Sequence, residues 1–493
     1  MVKLGWWVLI LAGIALSIYA AIHDAGGMVF ATVLLFILTL YLYGFTISYF
    51  LGIRRHVVGH LGKRWKQGEV VTHVIRTSER IDLQLTLDRI RAGQKPAKKM
   101  FGYAAAYRLG IVEVISQNPR PVPLEWESYP SAANRSSTCA TNALCLLQND
   151  GSPFCAMVGP RSERGKVDRK QVELAILAAT REAAQSALDM VLAQSRQNSV
   201  YRGAMICLEH SEDRREPYAI KFLDLPPVPR EQIILPADVM DVVERNVLGL
   251  LAHGPALRRA GSSTRHGVLF HGPPGTGKTL VTRYLSRARP EYTAIVLTGR
   301  QLSLIRESCQ LARLLSPSML ILEDVDLVAS ERRRNRHNTV LHELMDEMDG
   351  LGEKTDCVFL LTTNRPDILE PALAARPGRV DQAIFFPLPD LDCRRRLLEL
   401  YCRRLDLSGV ELEPLLDRTA GTSPAFLAEL VRKAVLMAAE RGEQTDPLRP
   451  TSDDFNRALR ELVEFGGELT QKLLGYAGGS EEAVGSDRRF NEI

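Results

Sequence analysis

The chain has no pair of cysteines in C-x-x-C spacing, only 6% aromatic residues, and almost no net charge: 62 Lys plus Arg face 58 Asp plus Glu, a formal +4 over 493 residues. Each shortage excludes something. The eight cysteines (139, 145, 155, 207, 309, 357, 393 and 402) are too scattered for a zinc knuckle or a secreted disulfide framework, so free thiols in a reducing compartment are expected. A charge this small on a chain this long does not announce a nucleic-acid partner, and none is expected. With 45% apolar residues the chain is not disordered, and its length suggests about three folding units, each able to bury a core.

The apolar residues are unevenly spread. Residues 5–22 and 28–51 are two uncharged runs of 18 and 24 residues, each long enough to cross about 30 Å of hydrocarbon. They are separated by His23-Asp24-Ala25-Gly26-Gly27. One continuous helix would run about 70 Å and leave Asp24 in mid-membrane at about 2.5–3.5 kcal/mol, whereas two helices joined by a polar turn avoid both costs. A cleaved leader is the rival, with small residues around Ser17 to Ala21, but the second run would anchor the chain regardless. Only Lys3 precedes the first run, while Arg54, Arg55, Lys63, Arg64 and Lys66 follow the second, which places both ends in the cytoplasm. A multi-pass protein of the bacterial inner membrane is preferred because no Arg/Ser-rich transit leader comes first.

Residues 54–229 read as a cytosolic linker and α+β adaptor. Val70 to Ile75 is a candidate strand, Leu144 to Val158 a hairpin about Asn149-Asp150-Gly151, and Lys170 to Gln197 a helix. Tyr201 to Leu208 and Tyr218 to Leu223 read as strands, and Asn118 to Ser137 as a long exposed loop. Lys95, Lys98 and Lys99 are suited to phosphate headgroups, although a charge run is usually a solvated face. Nothing in this region carries chemistry.

The chemistry starts after the apolar run at 267–270. Gly272-Pro273-Pro274-Gly275-Thr276-Gly277-Lys278-Thr279-Leu280 fits G-x-x-x-x-G-K-[ST]. Its glycines let backbone N–H groups turn toward phosphate oxygens, a following helix adds its positive end, Lys278 neutralises phosphate charge and Thr279 is a Mg²⁺ ligand. A second run, 319–322, delivers Glu323 and Asp324 to a strand end, where one acid can serve the metal and the other the attacking water. A third, 358–363, ends in Asn364, an amide able to hold a water against the γ-phosphate. Arg376 and Arg379 flank a Pro-Gly turn, and an arginine reaching a neighbour's nucleotide can speed phosphoryl transfer about 10³–10⁵-fold.

Together these strings resemble an AAA-type ATPase over about residues 230–465, in the manner of FtsH-like and proteasomal modules. Residues 272–279 resemble Walker A, 320–326 Walker B, 348–350 the stretch before the central strand, 362–366 sensor 1, 370–381 the second region of homology, and 421–427 the turn opening the helical lid. The resemblance implies a P-loop, doubly wound parallel α/β sheet at 230–390, a helical lid at 391–465, ATP with Mg²⁺ held by Thr279 and Glu323, a hexameric ring with Arg376 and Arg379 acting in trans, and ATP-driven remodelling or unfolding of a protein substrate. A flexible tail is expected from 466.

The chain departs from the family pattern in three places. The acidic pair runs Glu323-Asp324, an order that resembles the membrane-anchored mitochondrial branch that moves a folded iron-sulfur protein. Asp324 is about 1.5 Å shorter than Glu and must approach more closely, so turnover is expected to be slow. Leu304-Ile305-Arg306 stands where many unfoldases carry an aromatic-hydrophobic-Gly pore loop, which puts threading in doubt. The nearest approach to an H-E-x-x-H zinc site is His342-Glu343-Leu344-Met345-Asp346, with Asp in place of the second His, so proteolysis by this chain is not expected. Arg332, Arg333, Arg334, Arg336 and His337 form a basic loop that is either a substrate contact in the pore or simply solvated. The second class of function to weigh is a nucleotide-gated membrane scaffold that binds ATP and hydrolyses little.

Overall fold

A computed structural model describes residues 52–63, 65–94, 99–103, 110–163, 166–211, 218–262, 266–327, 344, 346–347, 356–367, 380–443 and 445–465. The two apolar runs, the basic loop at 332–337 and the tail after 465 lie outside the described residues. Among those described, no helix is long and apolar enough to cross a membrane. The chain divides into two compact units, with Arg135–Val200 and the residues before Ala132 in the first and Tyr201 onward in the second.

The first unit is built on an antiparallel sheet of β1 (Glu69–Ile75), β2 (Met100–Gly102), β5 (Ala143–Asn149), β6 (Ser152–Glu163) and β7 (Lys166–Ala178), in the order β1-β7-β6-β5-β2. β5 is apolar along most of its length because both of its faces are covered. Cys145 and Leu147 enter one core with Phe154, Val172, Leu174 and Ile176, while Leu144 and Leu146 enter another with Cys155 and Leu177. Alternate residues of a strand point to opposite faces, so a doubly covered strand needs an unbroken apolar run. The helices α1 (Ile53–Leu61) and α3 (Ile111–Gln117) serve the second core, and α2 (Arg80–Gly93) and α4 (Arg181–Gln197) the first. Asp150 (φ 46°) and Gly151 (φ 83°) turn the β5–β6 hairpin, as two successive left-handed residues do in the tightest hairpins.

Two sequence expectations are corrected in this unit. The helix expected over 170–197 begins only at Arg181: residues up to Ala178 form β7, where Val172, Leu174 and Ile176 alternate with Ala175 and Leu177 between the two cores. The Thr180 hydroxyl, accepting from Ala183 N at 3.2 Å, caps the helix at its true start. The loop expected over 118–137 is largely a two-stranded hairpin of β3 (Trp126–Ala132) and β4 (Arg135–Ala140), since Trp, Tyr, Ser and Thr suit a half-exposed pleat despite their turn-rich company.

The second unit holds a seven-stranded sheet of β8 (Met205–His210), β9 (Tyr218–Phe222), β10 (His266–His271), β11 (Thr293–Thr298), β12 (Ser318–Glu323), β13 (Cys357–Thr363) and β14 (Gln382–Phe385). Its order is β14-β10-β13-β12-β11-β8-β9, parallel throughout except for the β8–β9 pair. The strands at 201–223 therefore extend the nucleotide-type sheet rather than closing the adaptor, and this unit begins at Tyr201 rather than near residue 230. The helices α5 (Ala237–Glu244), α6 (Leu250–Arg259), α7 (Lys278–Ala288) and α8 (Ile305–Leu314) accompany the sheet. Beyond it α9 (Leu391–Cys402), α10 (Leu412–Arg418), α11 (Pro424–Glu440) and α12 (Ser452–Arg460) bury Leu397, Phe426, Leu430, Phe455 and Leu459 in a small core of their own. Asp390 and Ser423 cap the starts of α9 and α11, their side chains accepting from Cys393 N and Phe426 N.

The cores described in the two units have no residue in common. Phe154→Ala removes a fully buried ring from the first unit and costs about 3–5 kcal/mol there. Hydrogen exchange on the full chain is expected to speed up in β5, β6, β7 and α4 while amides of β10, β12 and β13 keep their protection.

Candidate nucleotide site

β13 lies between β10 and β12, and all three run in the same direction, so the residues after each strand emerge at one edge of the sheet. Open parallel sheets bind ligands at that carboxyl edge. After β10 comes the loop of residues 272–277. Gly272 has φ 144°, and a Cβ there would lie 2.4 Å from the Phe386 carbonyl oxygen. Gly275 has φ 76°, and its Cβ would meet Ser423 Oγ and Ala425 Cβ at 2.8 Å, where the lid turn lies on the loop. Gly277, at φ 95°, leads directly into α7. Thr276 Oγ1 donates to Pro273 O at 2.9 Å and ties the loop to itself, while Ala425 N donates to Gly275 O at 3.2 Å.

Lys278 is buried at 6% exposure, with Nζ donating to Gly272 O at 2.9 Å and Pro273 O at 2.8 Å. Burial pushes its pKa down to about 8, against the pull of Asp324 and Asp326. Thr279, next along, is exposed at the helix start. Pro273 and Pro274 are half-buried in the loop, and Leu280 packs partly against the sheet core.

At the end of β12, Glu323 Oε1 accepts from Thr282 Oγ1 at 3.1 Å, which ties the first acid to α7 one turn beyond Thr279. Burial holds the Glu323 carboxyl above its usual range, with Asp324 adding to the effect and the Thr282 bond opposing it. Asp324 has φ 52°. The described non-glycine residues with positive φ are Asn118, Asp150 and Asp324; the first two sit in a helix cap and a hairpin turn, so Asp324 alone holds the strained conformation at a strand end. Its N–H donates to Thr362 Oγ1 at 3.0 Å and its Oδ1 accepts from Asn364 Nδ2 at 3.1 Å. Burial, then Asp326, raises its pKa, opposed by Lys278 and Asn364. Asp326 Oδ1 accepts from Thr363 Oγ1 at 2.8 Å and from Asn364 N at 3.2 Å.

Of the residues expected from sequence, the loop, Lys278, Glu323, Asp324 and Asn364 meet at this edge, whereas Arg376, Arg379 and residues 342–343 lie outside the described residues. Leu304 and Ile305, where threading is in doubt from the sequence, are 4% and 0% exposed, closing a short helical turn (Gly299–Leu304) and opening α8, and only Arg306 of the three reaches solvent. Sequence reasoning passed over Thr282, Thr362 and Thr363, whose hydroxyls hold the acids. The spacing of Thr279 and Thr282 puts both on one helix face and was the available signal for the first.

The residues present fit a magnesium–triphosphate group. Successive glycines with positive φ form a concavity open to backbone approach, and Thr279 with Glu323 offers hard oxygen donors of the kind Mg²⁺ takes beside phosphate and water. No cluster of three or more His, Cys, Asp or Glu side chains suited to a metal occurs among the described residues.

A parallel sheet bearing a phosphate loop, an acidic pair and an asparagine at adjacent strand ends defines a P-loop nucleoside triphosphatase domain. Residues 268–388 match the family described as ATPase family associated with various cellular activities (AAA), and the chain carries an AAA ATPase domain. It is 34% identical over 249 residues to ATP-dependent zinc metalloprotease FtsH 2 of Sphaerobacter thermophilus, covering 47% of this chain and 38% of that protein. It is 32% identical over 241 residues to the proteasome-activating nucleotidase of Pyrococcus horikoshii, covering 46% of this chain and 59% of that protein. The chain thus spans from about two fifths to three fifths of the length of these relatives.

The geometry leads to two expected outcomes. Thr282→Val leaves Glu323 without its hydroxyl donor and is expected to raise the Mg²⁺ concentration needed for half-maximal turnover by about 10-fold or more, with Thr282→Ser restoring it. For Lys278, a folded pKa near 8 against an ordinary 10.5 means that the charged form is lost from the fold as pH rises through about 8. Phosphate attracts the charged form, so ATP affinity measured by calorimetry is expected to weaken from pH 7 to 9, with proton uptake on binding near pH 8.5.

Proposed function

We propose that this protein is a membrane-anchored AAA ATPase that couples ATP binding and hydrolysis to the remodelling of protein substrates. The observation that carries the reading is the meeting of Lys278, Glu323, Asp324 and Asn364 at neighbouring strand ends, stitched by the Asn364–Asp324 hydrogen bond. In this reading the loop N–H groups and Lys278 would bind the phosphates, and Thr279 with Glu323 would hold Mg²⁺, which would supply neutralisation of phosphate charge. Asn364 positions the attacking water and Asp324 accepts its proton. The left-handed backbone of Asp324 and its tie to Thr362 supply the close approach that a shorter acid needs. Arg376 and Arg379 are assigned to a neighbouring subunit's site, which requires a ring, taken as hexameric from the AAA resemblance. The apolar runs at 5–22 and 28–51 are the anchor, with the ATPase on the cytoplasmic side.

The client is a protein of unassigned identity. Because Leu304 and Ile305 are packed inside, the reading does not rest on their gripping a threaded chain, and it includes no peptidase.

A second reading, a nucleotide-gated scaffold, is favoured by Asp324 being both short and already engaged by Asn364, an arrangement suited to slow hydrolysis. Steady-state turnover on the full chain separates the two. For the motor, Lys278→Ala loses ATP binding, while Asp324→Asn and Glu323→Gln retain ATP and lower kcat by about 100-fold or more. Tight ATP binding with negligible wild-type turnover selects the scaffold, and unchanged turnover in Lys278→Ala rejects the site itself.

A further inference from the structure

Residues 52–68 and, more than twenty residues later, 93–124 apart from Glu113, contain no Asp or Glu. The first unit knits them together. Ile53 N donates to Pro119 O at 2.9 Å and Arg54 N to Asn118 Oδ1 at 2.9 Å, which fastens the start of α1 to the segment after α3. His56 of α1 stacks on Phe101 of β2 at 4.8 Å between ring centroids, and Val122 N donates to Gly102 O at 3.0 Å. Lys99 and Arg55 are close enough to His56 to help burial depress its pKa. Arg54 and Lys66 each lie 6.0 Å from the Trp65 ring centre.

These contacts bring Arg54, Arg55, Lys99 and Arg120 near one another around the start of α1, all exposed except the half-buried Arg54. The acids nearest in sequence are Glu69, Asp88, Glu113 and Glu125.

The position of this basic face matters as much as its sign. The second apolar run ends at Leu51, and α1 begins at Ile53, whose side chain is 0% exposed, as is that of Val57. One residue therefore separates the run from a helix locked into the unit's core, too little chain to let the unit swing away. Resting on the proposed anchoring, we infer that this face is a docking surface for anionic lipid headgroups, held against the bilayer by the α1 junction.

Topology signalling alone accounts for the cations near Leu51, but such signals act within about 15–20 residues of a span. Lys99 and Arg120 stand 48 and 69 residues beyond Leu51, and only folding brings them to the start of α1. A basic residue near an anionic surface contributes enough attraction to shift occupancy several-fold, falling off within a Debye length.

The test compares the full chain in nanodiscs of phosphatidylcholine alone and with about one third phosphatidylglycerol, read by hydrogen exchange. Amides of 53–61 and 118–123 are expected to exchange at least about threefold more slowly in the anionic discs, and the difference to vanish in high salt. Lys99→Glu with Arg120→Glu, both exposed and distant in sequence from the span, is expected to abolish the difference while ATP turnover persists; Lys99→Gln with Arg120→Gln serves if charge reversal unfolds the unit. Equal exchange in both discs, or protection that survives the double variant, overturns the inference and leaves the anchoring intact. Inorganic phosphate reproducing the protection in neutral discs overturns the assignment to lipid. A chain that stays in solution without detergent overturns the anchoring, and the inference with it.

Discussion

Two threonine hydroxyls at the end of β13 hold the acids of the candidate site in place. Thr362 Oγ1 takes the Asp324 N–H and Thr363 Oγ1 donates to Asp326, so the strand between phosphate loop and acid strand fixes the backbone on which the acids are presented. Without the first bond Asp324 would lose a principal support for a left-handed conformation that costs a non-glycine residue about 1–2 kcal/mol. With it, a carboxylate one methylene shorter than the family's usual glutamate faces Asn364 and the field of Lys278. The pKa shifts share one cause, burial at the sheet edge, which disfavours every charge there until opposite charges are brought together.

The lid belongs to the same geometry. Its longest helix, α11, is capped by Ser423, and the residues of that turn lie on Gly275 of the phosphate loop. The start of α11 is thus in direct contact with the phosphate loop, Ala425 N donating to Gly275 O at 3.2 Å.

Much of this arrangement was legible in the sequence because its signals are local. The phosphate loop is a contiguous string, and an apolar run followed by acids, or by an amide, marks a strand end wherever it occurs. The threonine ties were not legible, since they depend on register between strands separated by more than thirty residues. The strands β8 and β9 read as strands of the adaptor region, because their pattern reveals a pleat but not which edge it joins, and β8 pairs with β11. In the first unit, β7 read as helix because Ala175 and Ala178 satisfy both periods, and only the two-sided core decides between them. Leu304 and Ile305 stand where a pore loop would fall and lack its aromatic, and their burial places them in the core.

The central claim is that three strand ends serve one triphosphate, and photoaffinity labelling with an ATP analogue tethered through its γ-phosphate tests it most directly. Labelling is predicted on peptides covering residues 272–282, 320–327 and 360–367 together, each suppressed by excess ATP. Label on one of these peptides alone, or on the first unit in their place, would contradict the account.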